Sequence, residues 1–258
     1  MGHEIPENVL KQIEQLQRVR DAASDAKKRL IGLYPCWDAI RDARVTVFSK
    51  LINVLNSTQF AYTLAGKHLL DKGWWAQIAK RLPPDSDINI YIREFDAFTK
   101  IAFVNLAFSA IESSMRLILR AIDPKACSNG TAEFKGVYDC LLKSKLVSTP
   151  PNSVELLDLW RIIRNTVHNN GVYFHRSGTD ENVTYKRATY TFRIGQPVEI
   201  AVWSFLLDLT QDLVFLVEAV VSDLAVVGVD REITDPFIAA SPSAAKPGVA
   251  VDGVSPRS

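Results

Sequence analysis

Arg161, Arg164, Asn165 and His168 fall within eight residues of the segment "LWRIIRNTVHNNGVYFHR". On a helix at about 100° per residue, offsets of three, four and seven return to one face, so these four side chains form a single stripe. Leu156, Leu159, Trp160, Ile163 and Val167 fall in the opposite arc and read as the buried side. A histidine within hydrogen-bonding reach of arginines has its protonated form disfavoured, which keeps a neutral imidazole available as a base. A plainer account competes with this one. Cations near a helix C-terminus complement the macrodipole, each worth about 0.3–1 kcal/mol. Against the plainer account, the stripe carries no acid, whereas solvated charged faces usually mix signs.

The stripe needs elements to hold it. Residues 153–168 form its helix, with Ser153 as N-cap behind Pro150-Pro151. Asn169-Asn170-Gly171 closes the helix, because Asn and Gly tolerate the left-handed conformation that ends one. Upstream, residues 88–122 read as a long helix opened by Asp85 to Asp87 and closed by Asp123-Pro124. Its apolar stripe is Ile101, Val104, Phe108, Ile111, Met115, Ile118 and Ile122, with a polar row of Asn105, Ser109, Glu112 and Arg116 alongside. Glu112 and Arg116 stand at i, i+4 in the favourable order for an ion pair. Either that pair is an ordinary one contributing a few tenths of a kcal/mol, or Glu112 is a carboxylate that orients an arginine or His168.

Elsewhere helical periodicity also dominates. A first amphipathic helix covers 7–30, with Val9, Ile13 and Leu16 on one side. Residues 36–70 continue as one or two helices, with a break expected at Asn56-Ser57. "WWAQIAKRL" is a short helix ended by Pro83-Pro84. Residues 131–145 are another helix, opened by Thr131 and Glu133. The period then changes: "GVYFHRSGTDENVTYKRATYTFRIGQPVEI" is rich in Val, Tyr, Thr and Phe, with a turn cluster at Ser177 to Asn182, and reads as a β-hairpin over about 172–194. A last core helix spans 198–227, and the Pro/Ser/Ala-rich stretch 236–258 reads as a disordered tail. The expected fold is an all-α helical bundle with a small β-hairpin inserted between the motif helix and the last core helix. Residues 1–85 form an N-terminal helical region packing on a core of 86–230.

Lys and Arg number 30 against 29 Asp and Glu, which argues against coating nucleic acid through bulk charge and leaves room for a local basic pocket. Cys36, Cys127 and Cys140 are far apart and lack histidines at zinc-ligand spacing, so buried free thiols are expected, with neither disulfide nor zinc. His3, His68, His168 and His175 show no ligand pairing, so no metal or other cofactor is expected. The start, "MGHEIPENVLKQIEQ", has no signal-peptide pattern. The most apolar segment, Val198 to Val229, is interrupted by Asp208, Asp212, Glu218 and Asp223 and reads as a core helix and not a membrane span. A soluble, cytoplasmic protein is expected.

The motif "RIIRNTVHNNG", following a long helix that contains "FSAIESSMR", resembles the HEPN superfamily, all-helical domains common in prokaryotic toxin–antitoxin, abortive-infection and CRISPR-linked systems. That family's pattern is an arginine, usually followed by a polar residue, with four to six residues before a histidine. The resemblance implies a metal-independent endoribonuclease or RNA-binding protein working as a homodimer, with an antitoxin or defence protein as a further partner. His168 matches the histidine and Asn165 the polar position. Two arginines compete: Arg164 precedes Asn165 but has only three residues between it and His168, while Arg161 has six residues between and is followed by Ile162. By the same resemblance Glu112 is the supporting acid. RNA carries its own nucleophile, the ribose 2′-hydroxyl, so His168 would serve as acid or base and an arginine would hold the phosphate. Lys186, Arg187 and Arg193 of the hairpin could extend a phosphate track. The alternative is a non-catalytic helical interaction module that uses the Arg/His stripe as an interface.

Overall fold

The long helices pack because each repeats apolar residues at intervals of three and four. A computed structural model describes residues 6–69, 71–80, 82–126, 133–167 and 169–239. Helix α1 (Glu7–Leu33) buries Ile13, Leu16, Val19, Ala23, Ala26 and Leu30. Helix α2 (Ala43–His68) is capped by Asp42, whose carboxylate accepts the Arg44 amide at 3.0 Å. The expected break at Asn56-Ser57 does not occur. Both residues are exposed in mid-helix, and their weak propensity, a fraction of a kcal/mol each, is outweighed by burial of Leu55 and Thr58 on either side. The helix also starts later than expected, since residues 36–42 are turns that set Trp37 over the Arg44 guanidinium at 4.2 Å. Cys36 there is exposed and Cys140 partly so, contrary to the expected burial. Cys127 and Thr131 lie outside the described residues.

Helix α3 (Lys72–Ala79) is capped by Asp71. Helix α4 (Asp85–Ile122) starts behind Pro84, so Asp85 and Asp87 sit in its first turn and complement the dipole without capping it. Val104, Phe108, Ile111, Met115 and Ile118 of its expected stripe are buried, whereas Ile101 is exposed. Helix α4 is also long and apolar enough to cross a membrane by length and composition, and half of its most apolar window is buried in the fold. Helix α5 (Phe134–Cys140) runs into a π-helical turn, Leu141–Lys145.

Helix α6 (Ser153–Val167) buries Leu156, Leu159, Trp160 and Ile163 as the period predicts. Its start is shifted by one residue: Asn152, at φ 57°, supplies the carbonyl that accepts the Leu156 amide at 3.0 Å, and Ser153 is already helical. Strands β1 (Glu181–Tyr185) and β2 (Ala188–Phe192) pair antiparallel with Val183 opposite Tyr190. The hairpin turn is Lys186-Arg187, with φ of 47° and 69°, the mirror-image two-residue turn that suits strand twist. The expected turn cluster is thereby corrected: residues 177–180 lead into β1.

Helix α7 (Trp203–Val221) ends where Asp223 caps the short α8 (Leu224–Val227). The chain then returns across α2. Asp42 and Thr234 form a bridge, and Lys50 reaches Asp235 at 2.5 Å. A turn α9 (Pro236–Ala239) follows, where a disordered tail was expected; residues 240–258 lie outside the described residues. One hydrophobic core joins α1 and α2 to α4, α5, α6 and α7, and the inner residues of the hairpin, Val183, Tyr185 and Phe192, belong to it.

Candidate functional site

Helix α6 stops where the sequence stops it. The Gly171 amide returns to the Thr166 carbonyl at 2.8 Å, with Asn170 at φ 53° and Gly171 at φ 82°. This left-handed pair satisfies a carbonyl that the helix end would otherwise leave open. The outgoing chain is then clamped to the segment before α7: Val198 donates to the Gly171 carbonyl at 2.9 Å, and Tyr173 and Gln196 pair likewise at 2.9 Å. The last turn of α6 is therefore held on both sides.

The two candidate arginines on that helix have different surroundings. Arg161 is a half-buried member of a polar network. Its guanidinium donates to Glu181 Oε1 at 2.9 Å and to Asp158 Oδ1 at 3.3 Å. Asp158 also receives the Tyr138 hydroxyl and Lys135 Nζ, while Tyr173 donates to Glu181 Oε2 at 2.8 Å. Burial disfavours the Arg161 charge, but Tyr138, Glu181 and Asp158 outweigh it and hold its pKa above the usual value. Burial, and then the adjacent carboxylates, push both the Tyr138 and Tyr173 phenols well up, so both stay protonated donors. The stripe is thus not free of acid. Asp158, three residues before Arg161, shares its face and neutralises it.

Arg164 has no such neighbours. It makes no ion pair among the described residues, and its one side-chain hydrogen bond is from Nη1 to Asn165 Oδ1 at 3.3 Å. Its guanidinium lies 5.2 Å from the Phe108 ring of α4, and its Nε is buried without an acceptor. Phe108 thus faces the guanidinium itself, and no carboxylate among the described residues compensates the cation. Asn165 is exposed on the same turn. His168 lies outside the described residues.

Glu112 is bonded to Arg116 of its own helix, accepting Nε at 3.0 Å and Nη2 at 2.6 Å, and no hydrogen bond or ion pair joins it to Arg161 or Arg164. In the hairpin, Lys186 is held by Asp212 at 2.6 Å. Arg187 and Arg193 are exposed and make no ion pair among the described residues. No group of three or more His, Cys, Asp and Glu side chains there stands close enough to hold a metal ion.

Sequence reasoning overlooked Asp158, whose i, i+3 spacing to Arg161 was available, and Glu181, which lies 20 residues from Arg161 with no local signal. The described chain is an all-α bundle whose hairpin is clasped to α6 by a half-buried arginine, with a second arginine on that helix left uncompensated. No family model, curated protein or solved structure matches the chain.

Proposed function

We propose that the C-terminal end of α6 is an RNA-phosphate site of HEPN-like type, in a cytoplasmic homodimer that cleaves or binds RNA without a metal ion. The observation that carries this reading is the setting of Arg164: a guanidinium over the Phe108 ring with no carboxylate partner among the described residues. Such a group favours an anion, and its planar fork matches two phosphate oxygens. Arg161, occupied by Asp158 and Glu181, is assigned a positioning role. Arg164 is then the phosphate ligand, stabilising charge that grows on the phosphate oxygens. Asn165 orients the same phosphate, and His168 moves the proton of the 2′-hydroxyl or the leaving oxygen. Glu112, paired with Arg116, has no part in the chemistry proposed.

One observation favours the alternative of a non-catalytic module bound to a defence or antitoxin partner. With Arg161 engaged structurally, a single arginine remains to serve the phosphate. Fluorescence anisotropy with a labelled single-stranded RNA tests the proposed site. Arg164→Ala should weaken binding about tenfold, the worth of one charge-assisted contact, and flatten its salt dependence. Equal affinity of parent and variant at low salt would remove the RNA reading and leave the module.

A further inference from the structure

Between α2, α4 and the turn α9 lies a groove of about 580 Å³. Val54 of α2, Leu106, Ala110 and Leu117 of α4, and Phe237 of α9 contribute its apolar walls. Leu106 is 55% exposed and Phe237 75% exposed, so large apolar side chains face solvent there. Three cations and one acid also line it: Lys50, Arg116, Arg120 and Asp235. Lys50 is neutralised by Asp235 at 2.5 Å, and Arg116 is paired with Glu112 at 2.6 Å. Arg120 is exposed and makes no ion pair among the described residues. The groove therefore combines an apolar channel with one uncompensated guanidinium.

We propose that this groove binds an amphipathic carboxylate, a medium-length unbranched alkyl chain ending in a carboxylate group. The chain lies against Leu106, Leu117 and Phe237, and the head group pairs with Arg120. Charge complementarity selects the head group, because a guanidinium fork receives both oxygens of a carboxylate. The volume falls within the range of about 300–1,000 Å³ typical of small-molecule sites, and a mostly apolar lining with a few polar groups is their usual composition. The site shares neither Arg161 nor Arg164 and stands whether or not the protein binds RNA.

Isothermal titration of the full chain with decanoate, below its micelle concentration, tests the proposal. Saturable binding of one decanoate per chain is expected, with octanoate weaker by about tenfold for the two methylenes lost. Arg120→Ala should lower decanoate affinity about tenfold and leave decanol unaffected, whereas Leu106→Glu should abolish uptake of both. Both positions are at the surface, and the helical circular dichroism of each variant should match the parent. Lack of saturable uptake, or an Arg120→Ala variant that binds decanoate like the parent, would overturn the proposal. So would tighter binding of decyl phosphate, which would make the head group a phosphate. A parent dimer that Leu106→Glu dissociates would assign the groove to a second copy of the chain, with the same effect.

Discussion

The Arg161 guanidinium meets the Glu181 carboxylate at 2.9 Å, and through that pair the last turns of α6 hold the first strand of the hairpin. Both side chains are largely shielded, so truncating one strands the other. Arg161→Ala should cost about 2–4 kcal/mol of unfolding free energy, because Asp158 and Glu181 lose a shared donor. Glu181→Gln, which keeps an acceptor oxygen, should cost about 1–2 kcal/mol. Urea denaturation of both single variants and the double variant checks this, with an interaction energy of about 0.5–3 kcal/mol expected. Additive costs would show that the pair does not tie hairpin to helix.

Arg164 should behave in the opposite way. Its lack of a carboxylate partner makes Arg164→Ala cheap for the fold, about 1 kcal/mol or less, the worth of its guanidinium over the Phe108 ring. The same substitution should reduce any RNA cleavage by about 10²-fold, the scale of one lost charge-stabilising donor. Thermal unfolding and cleavage rates measured on one preparation separate the two effects. An Arg164→Ala protein that unfolds many degrees early would mark the residue as structural.

Acid should loosen the connection between α5, α7 and α8 first. Burial alone would raise the Asp223 pKa, but the amides of Val147, Ser148 and Ala225 outweigh it and hold the pKa below the ordinary 3.8. A lowered folded value means that the carboxylate stabilises the fold in full above the ordinary pKa. That contribution is lost as the pH falls through the lower, folded value. Asp96 acts in the same direction: burial raises its pKa, but bonds from Tyr62, Lys100 and Trp203 bring it below the ordinary value. Stability measured from pH 6 down to pH 2 should therefore fall below about pH 4. Asp223→Ala should flatten the fall while costing about 2–4 kcal/mol at neutral pH from three orphaned amides. An unchanged acid limb in that variant would contradict the assignment.

Arg44 and Asp42 form the most deeply buried ion pair among the described residues, with side chains 1% and 0% exposed. Arg44 also donates to the carbonyls of Val226, Val229 and Arg231, and so ties the segment after α8 to the start of α2. Arg44→Met leaves Asp42 buried without its cation and should cost about 3–5 kcal/mol. Adding Asp42→Asn removes the stranded charge and should recover part of that loss, which denaturant midpoints would reveal.

The helices were legible where one face is apolar at helical spacing. Leu156, Leu159, Trp160 and Ile163 of α6 are buried as their period requires, and Asn170-Gly171 supplies the left-handed stop. The hairpin turn was not legible, because Lys186-Arg187 lacks the Asn or Gly that usually marks positive φ, whereas Gly178, Asp180 and Asn182 mimic that mark upstream. Asn56-Ser57 misled in the same way, since local propensity yields to tertiary burial on the flanking turns. At the site, spacing alone grouped Arg161 with Arg164. The partners Asp158 and Glu181, the second on a distant strand, set Arg161 apart from Arg164, which makes no ion pair among the described residues.

The central claim is that the end of α6 performs metal-independent RNA chemistry, and the most direct measurement is cleavage of mixed RNA in EDTA by the parent, Arg164→Ala and His168→Ala. Cleavage by the parent, unaffected by chelator and reduced about 10²–10⁴-fold in both variants, is the result expected. Equal cleavage by all three would contradict the claim, and so would no cleavage by any of them together with no binding of RNA by the parent.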